Sequence, residues 1–219
     1  MPAPPAPNPP PTGAFSGQTG LAIALGANLG DPAATLAAVR PLLEEGLQRW
    51  WPGQTSARLR WSPLFSTAAV GGPPGQPDFV NAALLLTPLP SLAAAPAWAD
   101  PAEAARALLR ILQELEASFG RERLVHWGPR TLDLDLLWCG DLHCRTPELE
   151  LPHPRLLERS FVLAPLAAID ASLIPPGQPA GAGRPVGQLL AQLLAGAAAD
   201  PPRPLPPSPG WPEGGQRSA

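Results

Sequence analysis

The sequence predicts an α+β domain in which helices pack on a mostly antiparallel sheet. Three observations carry this expectation. Segments that alternate like strands are interleaved with segments of helical period, in the order strand, helix, strand, strand, helix, strand. Glycine, proline and aspartate stand at the joints, where turns and helix caps need them. Hydrophobic residues make up 45% of the 219 residues, enough for one sizeable core. The β-α-β-β-α-β order is that of ferredoxin-like αβα layers in a single domain.

Each element has its own signal. Leu21 to Leu25 reads as a strand closed by Gly26. Asp31 is placed to cap a helix whose first position is Pro32, and that helix runs to about Arg49. Arg58 to Ser66 alternates as a strand, residues 68–77 form a Gly/Pro loop, and Phe79 to Thr87 is the next strand. Asp100-Pro101 repeats the cap chemistry for a second helix. Its Ala105, Leu108, Leu109, Leu112, Leu115 and Phe119 share one face, and Gly120 stops it. Thr131 to Trp138 is a strand, short helices come between Leu149 and Leu166, and Gln188 to Ala198 is a final helix. Residues 1–18 and 199–219 are Pro-rich and are expected to be disordered tails around a domain spanning 19–198.

Composition narrows the function. No run of ~20 apolar residues occurs, so no spanning helix and no membrane partner is expected. The N-terminus has neither a basic start nor an apolar core, so a secretory signal is not expected. Cys139 and Cys144 are too few for a disulfide framework or a zinc site, and a reduced, cytoplasmic setting is expected. The net charge of −3 argues against a nucleic-acid partner. All fifteen basic residues are arginines. Any phosphate must therefore be held by arginine, backbone N–H groups or metal.

The chemistry concentrates between Trp127 and Asp135. In Thr131-Leu132-Asp133-Leu134-Asp135-Leu136, alternation sends Thr131, Asp133 and Asp135 to one face and the three leucines to the core. Two strand rises separate the carboxylates by roughly 6–7 Å. Both can reach a pair of magnesium ions about 3.5–4 Å apart. By itself such a pair reads first as a strand face whose acids are solvated or paired with arginine. Arg121, Arg123 and Arg130 crowd the same loop–strand junction, which suits a polyanion bridged by metal.

Several ordered motifs then resemble the 6-hydroxymethyl-7,8-dihydropterin pyrophosphokinase family. They are Leu25-Gly26-Ala27-Asn28-Leu29-Gly30, Gln76-Pro77-Asp78-Phe79-Val80-Asn81-Ala82, and Gly120-Arg121-Glu122-Arg123 leading through Trp127-Gly128-Pro129-Arg130-Thr131-Leu132-Asp133-Leu134-Asp135. Leu151-Pro152-His153-Pro154 and Arg159-Ser160-Phe161-Val162-Leu163 come next in order. The resemblance covers about Leu21 to Ile169. The chain departs from the family pattern at Ala68-Ala69, where a proline-bearing segment is common, and at His126, where a basic residue usually precedes the tryptophan.

The resemblance implies an enzyme of tetrahydrofolate biosynthesis. ATP, the co-substrate, gives its pyrophosphoryl group to the pterin hydroxymethyl oxygen, and AMP leaves. Asp133 and Asp135 would hold two Mg2+ ions. Arg121 and Arg130 would join them as catalytic residues. Gln113, Glu116, Arg123, Trp127, Arg130, His153 and Arg159 would face the nucleotide. Thr67, Val70, Phe79, Asn81, Trp127 and Phe161 would hold the pterin, with the two phenylalanines sandwiching its ring. A monomer is expected. Two other readings stay open on the residues alone: a two-metal phosphohydrolase, and an interaction protein whose Pro-rich tails recruit polyproline-binding domains.

Overall fold

The computed structural model describes residues 20–51, 58–87, 100–121, 128–179, 181, 183–196 and 200–212. One sheet organises them. It contains β1 (Leu21–Ala27), β2 (Arg58–Trp61), β3 (Phe65–Thr67), β4 (Phe79–Thr87), β5 (Asp133–Cys139) and β8 (Arg203–Pro204). The order along the sheet is β5-β1-β4-β3-β8, with β2 also on β4, and every pairing is antiparallel. A small hairpin joins β6 (Cys144–Arg145) to β7 (Glu150–Leu151).

Helices α1 (Pro32–Trp50) and α2 (Pro101–Ser118) cover one face of the sheet. Both start as the sequence anticipates. The carboxylate of Asp31 accepts from Ala34 N–H at 3.0 Å, and that of Asp100 from Ala102 N–H at 2.8 Å. In α1, Leu36, Val39, Leu43 and Leu47 recur at helical spacing and are wholly buried. Each such side chain contributes about 1.5–3 kcal/mol relative to exposure. They meet Leu21, Ile23 and Leu25 of β1 and Leu84 and Leu86 of β4 in the main core. Trp50 ties the two helices together by donating from Nε1 to the Ala104 carbonyl at 2.8 Å.

The opposite face is only partly covered. Helices α3 (Ser160–Ile169) and α4 (Val186–Gly196) pack on Ala22, Ala83, Leu85, Leu137 and Trp138. Leu137 and Trp138 are sequence neighbours on the same face. A register shift opposite Ala22 and Ile23 makes this possible, because a bulge places two residues against one. Beyond that patch the small residues Ala24 and Gly26 line a cleft.

Two expectations are corrected. The strand read from Arg58 to Ser66 is broken into β2 and β3. Between Trp61↔Leu84 and Phe65↔Asn81 one chain advances four residues and β4 three. Pro63 has no N–H to offer a ladder, so the extra residue is accommodated there. The second correction concerns the tail expected to be disordered from 199 onward. Residues 203–204 pair with β3, and Trp211 is buried, because a two-residue strand needs only a partner edge and an apolar anchor. The reading of residues 1–18 lies outside the described residues, as do residues 88–99 and the end of the final helix beyond Gly196.

Candidate active site

Register builds the site. Gly26 on the central strand lies opposite Asn81 of β4 on one side and Asp133 of β5 on the other. Two residues back along β1, Ala24 lies opposite Ala83 and Asp135. Alternation points Asp133 and Asp135 into the cleft, while Leu132, Leu134 and Leu136 enter the main core. Two strand spacings, roughly 10 Å, separate the acidic strand from β4. The floor between them must be small. A Cβ on Gly26 would stand 2.9 Å from Asn81 Oδ1. Asn81 cannot yield freely, since it is buried and donates from Nδ2 to Thr67 Oγ1 at 2.7 Å.

Arginines ring the acids. Arg121 Nη1 lies 2.7 Å from Asp133 Oδ1, and Arg130 pairs with Asp133 Oδ2. Arg159 Nη1 lies 3.7 Å from Asp135 Oδ2, and its guanidinium carbon sits 5.4 Å from the centre of the Phe161 ring. These contacts preset cations around a strip of negative charge, a geometry that a phosphate chain with its counter-cation would fit.

The end of α2 delivers Arg121. Gly120 adopts φ +72°, which glycine reaches without a Cβ penalty. Its N–H bonds to the Ala117 carbonyl and that of Arg121 to the Glu116 carbonyl, the Schellman closure. The chain thereby folds back so that Arg121 pairs with the Glu116 carboxylate. Glu116 is only 3% exposed and also accepts from Leu134 N–H of β5 at 2.8 Å. Asn28 makes a second clamp. Its Oδ1 accepts from Arg130 N–H at 2.7 Å, its own N–H bonds to the Arg130 carbonyl, and its Nδ2 donates to the Pro77 carbonyl.

These surroundings set protonation. Burial pushes Asp135 up to about 6, and the charge of Asp133 adds to this; Arg159, Arg121 and Arg130 pull the other way. The Asp135 side chain still keeps 38% of its surface accessible through the cleft mouth. A cation can therefore reach it. Burial, then the charge of Arg159, lowers the His153 pKa and favours the neutral ring. Its Nδ1 accepts from Arg155 N–H at 3.1 Å, which leaves the proton on Nε2. Among the described residues, no group of three or more His, Cys, Asp or Glu side chains is disposed to hold a metal. The donor set is thus two carboxylates, hard oxygens that suit a cation completing its shell with phosphate and water, and unsuited to a closed zinc site.

The cleft gathers most of the residues singled out in the sequence. Thr67, Val70, Phe79, Asn81, Arg130, Asp133, Asp135, Arg159 and Phe161 all line it. His153 lines a neighbouring groove with Glu150, Leu157 and Gln178. Gln113 is exposed on α2, whereas Glu116, three residues on, is buried beneath Arg121. Arg123 and Trp127 lie outside the described residues. Sequence reasoning passed over Arg155, which lines the cleft and stands two residues after His153. It also passed over Asn28 and Gly26 as structural keys, although both belong to the first motif.

Fold and cleft together set paired carboxylates among arginines, an arrangement suited to a polyanion with its counter-cation. The comparisons with known proteins make this particular. The family model for 7,8-dihydro-6-hydroxymethylpterin-pyrophosphokinase matches residues 22–171. The chain is 39% identical to a Synechocystis 2-amino-4-hydroxy-6-hydroxymethyldihydropteridine pyrophosphokinase over 56% of this chain and 53% of that protein. It is 38% identical to the Bacillus subtilis protein of the same name over 67% and 75%. With the Mycobacterium tuberculosis protein of that name it shares 34% identity over 80% and 84%. The chain belongs to this family, the pyrophosphokinases of folate biosynthesis.

Proposed function

We propose that the chain transfers the pyrophosphoryl group of ATP to the hydroxymethyl oxygen of 6-hydroxymethyl-7,8-dihydropterin, giving AMP and the pterin diphosphate. The observation that carries this is the row Asp133–Gly26–Asn81 in register across three strands. It sets a carboxylate pair at one end of a small-residue floor and a ring-edge amide at the other. Family membership supplies the reaction class.

The roles proposed are these. The pterin lies across Gly26, with Phe79 and Phe161 against its faces, Asn81 at its polar edge, and Thr67 and Val70 along the wall. Arg121, Arg130 and Arg159 engage the phosphates, and neutral His153 donates from Nε2 on the nucleotide side. Asp133 and Asp135 would hold Mg2+, two ions as the family resemblance implies. When bound, these would neutralise phosphate charge and acidify the attacking hydroxyl. The residues in the cleft then bind, orient and exclude water, and positioning and electrostatics carry most of the rate. Nucleotide contacts for Gln113, Arg123 and Trp127 belong to the same proposal. The buried Glu116 acts through Arg121. A monomeric, cytoplasmic enzyme is part of this reading, and no described helix is long and apolar enough to cross a membrane.

Incubating the protein with ATP, Mg2+ and the pterin alcohol tests it. AMP formed only in the presence of pterin is expected. Phosphate released at the same rate without pterin would point instead to the phosphohydrolase.

A further inference from the structure

The C-terminal segment pairs with β3 although it lies beyond the matched family region, which ends at residue 171. Strand β3 is only three residues long, at the short end of strand lengths. Its inner edge pairs with β4 and its outer edge with β8, in the register Phe65↔Pro204 and Ser66↔Arg203. Leu205 N–H bonds to the Leu64 carbonyl at 2.8 Å, just before β3 begins. Trp211 then anchors the segment. It is 7% exposed, donates from Nε1 to the Ser62 carbonyl at 2.8 Å, and meets the buried Trp61 ring edge-on at 5.3 Å. These bonds fix the segment 62–64, the irregular stretch where Pro63 interrupts the ladder. The wall itself begins at the end of β3: Thr67 bonds to Asn81, and residues 68–71 line the cleft.

We propose that residues 203–211 are a strap that positions β3, and through it Thr67 and the 68–71 wall, for binding of the pterin. The proposal rests on the pterin assignment made above. The strap's hydrogen bonds described above go to β3 and to the segment just before it, on the pterin side of the cleft. Loosening it therefore raises the KM for pterin and leaves kcat and the KM for ATP near their values in the intact chain. Loss of one indole hydrogen bond and one ring contact corresponds to a rise of about tenfold in that KM.

The test uses full-length Trp211→Ala and Trp211→Phe. Steady-state kinetics are read beside amide hydrogen exchange of segments 62–71 and 133–139. In Trp211→Ala, faster exchange at 62–71, unchanged exchange at 133–139 and a selective rise in pterin KM are expected. Trp211→Phe keeps a ring and loses the N–H donor, so it should lie between. Unchanged exchange at 62–71, or equal rises in both KM values with lower kcat, would overturn the strap. Faster exchange at 62–71 in an enzyme whose intact form makes no pterin-dependent AMP would leave the strap standing and sink the pterin assignment instead.

Discussion

Asp133 and Asp135 differ although they share a strand face. Asp133 is flanked by Arg121 and Arg130, whereas Asp135 has one arginine at 3.7 Å and is pushed up to about 6 by burial and by its neighbour. Replacing either by alanine removes a carboxylate that, in the proposed reading, would hold the cation neutralising the phosphates. Turnover should fall by about 10²–10³-fold with the circular dichroism unchanged; near-normal turnover in either variant would sink the metal assignment. Gly26→Ala probes the floor between the two halves. Its Cβ would meet Asn81 Oδ1 at 2.9 Å, and Asn81 is held by Thr67. Crowding of this kind costs about 1–3 kcal/mol, so the KM for pterin should rise about tenfold or more, with a smaller change for ATP. Equal changes for both substrates would place the floor elsewhere. At this scale the acids were legible because alternation alone assigns their face. Asn28 was not: its three hydrogen bonds join residues 49 and 102 positions apart, and no local pattern encodes that.

Helices and strands transmit this residue chemistry through a few joints. The joint between α2 and β5 is Glu116, which accepts from Leu134 N–H and pairs with Arg121 where the helix ends. Glu116→Ala leaves a buried donor and a mostly buried arginine without that carboxylate. Breaking a pair of this kind costs about 3–5 kcal/mol, so the urea midpoint should drop substantially. Glu116→Gln keeps an oxygen for Leu134 and should lose markedly less. Equal losses in the two variants would show that the charge alone, and not the hydrogen bond to Leu134, holds this joint. Sequence reasoning placed Gln113 and Glu116 together on one face because they stand three apart. The helix surface turns about 60° between them, enough to leave one exposed and bury the other. Both helix starts and β4 were legible because cap chemistry and alternation are local signals. The division of β2 from β3 was signalled by Pro63, yet alternation on both sides masked it. Strand β8 had no local signal, since two residues among prolines become a strand only by meeting the edge of β3.

The whole molecule couples its stability to the charge in the cleft. Asp135 has an ordinary value of 3.8 and about 6 when folded, so the folded chain binds this proton more tightly than the unfolded chain. Its contribution to stability is therefore full below about 4 and is lost as pH rises through about 6. A divalent cation held by the same pair must displace that proton at low pH and meets an ionised carboxylate above it. Near pH 5 the apparent affinity should therefore be weaker than near pH 7.5, by less than the full shift because solvent reaches the half-exposed Asp135 side chain and screens it. Thermal unfolding with and without Mg2+ and a non-hydrolysable ATP analogue, near pH 5 and again near pH 7.5, measures the difference. The ligand-induced rise should be larger at the higher pH. Asp135→Asn should remove most of that pH dependence while leaving the unliganded fold at least as stable near pH 7.5, since it no longer holds a second negative charge beside Asp133. Equal ligand-induced rises at both pH values in the unaltered protein would mean that Asp135 does not take up the cation in exchange for its proton.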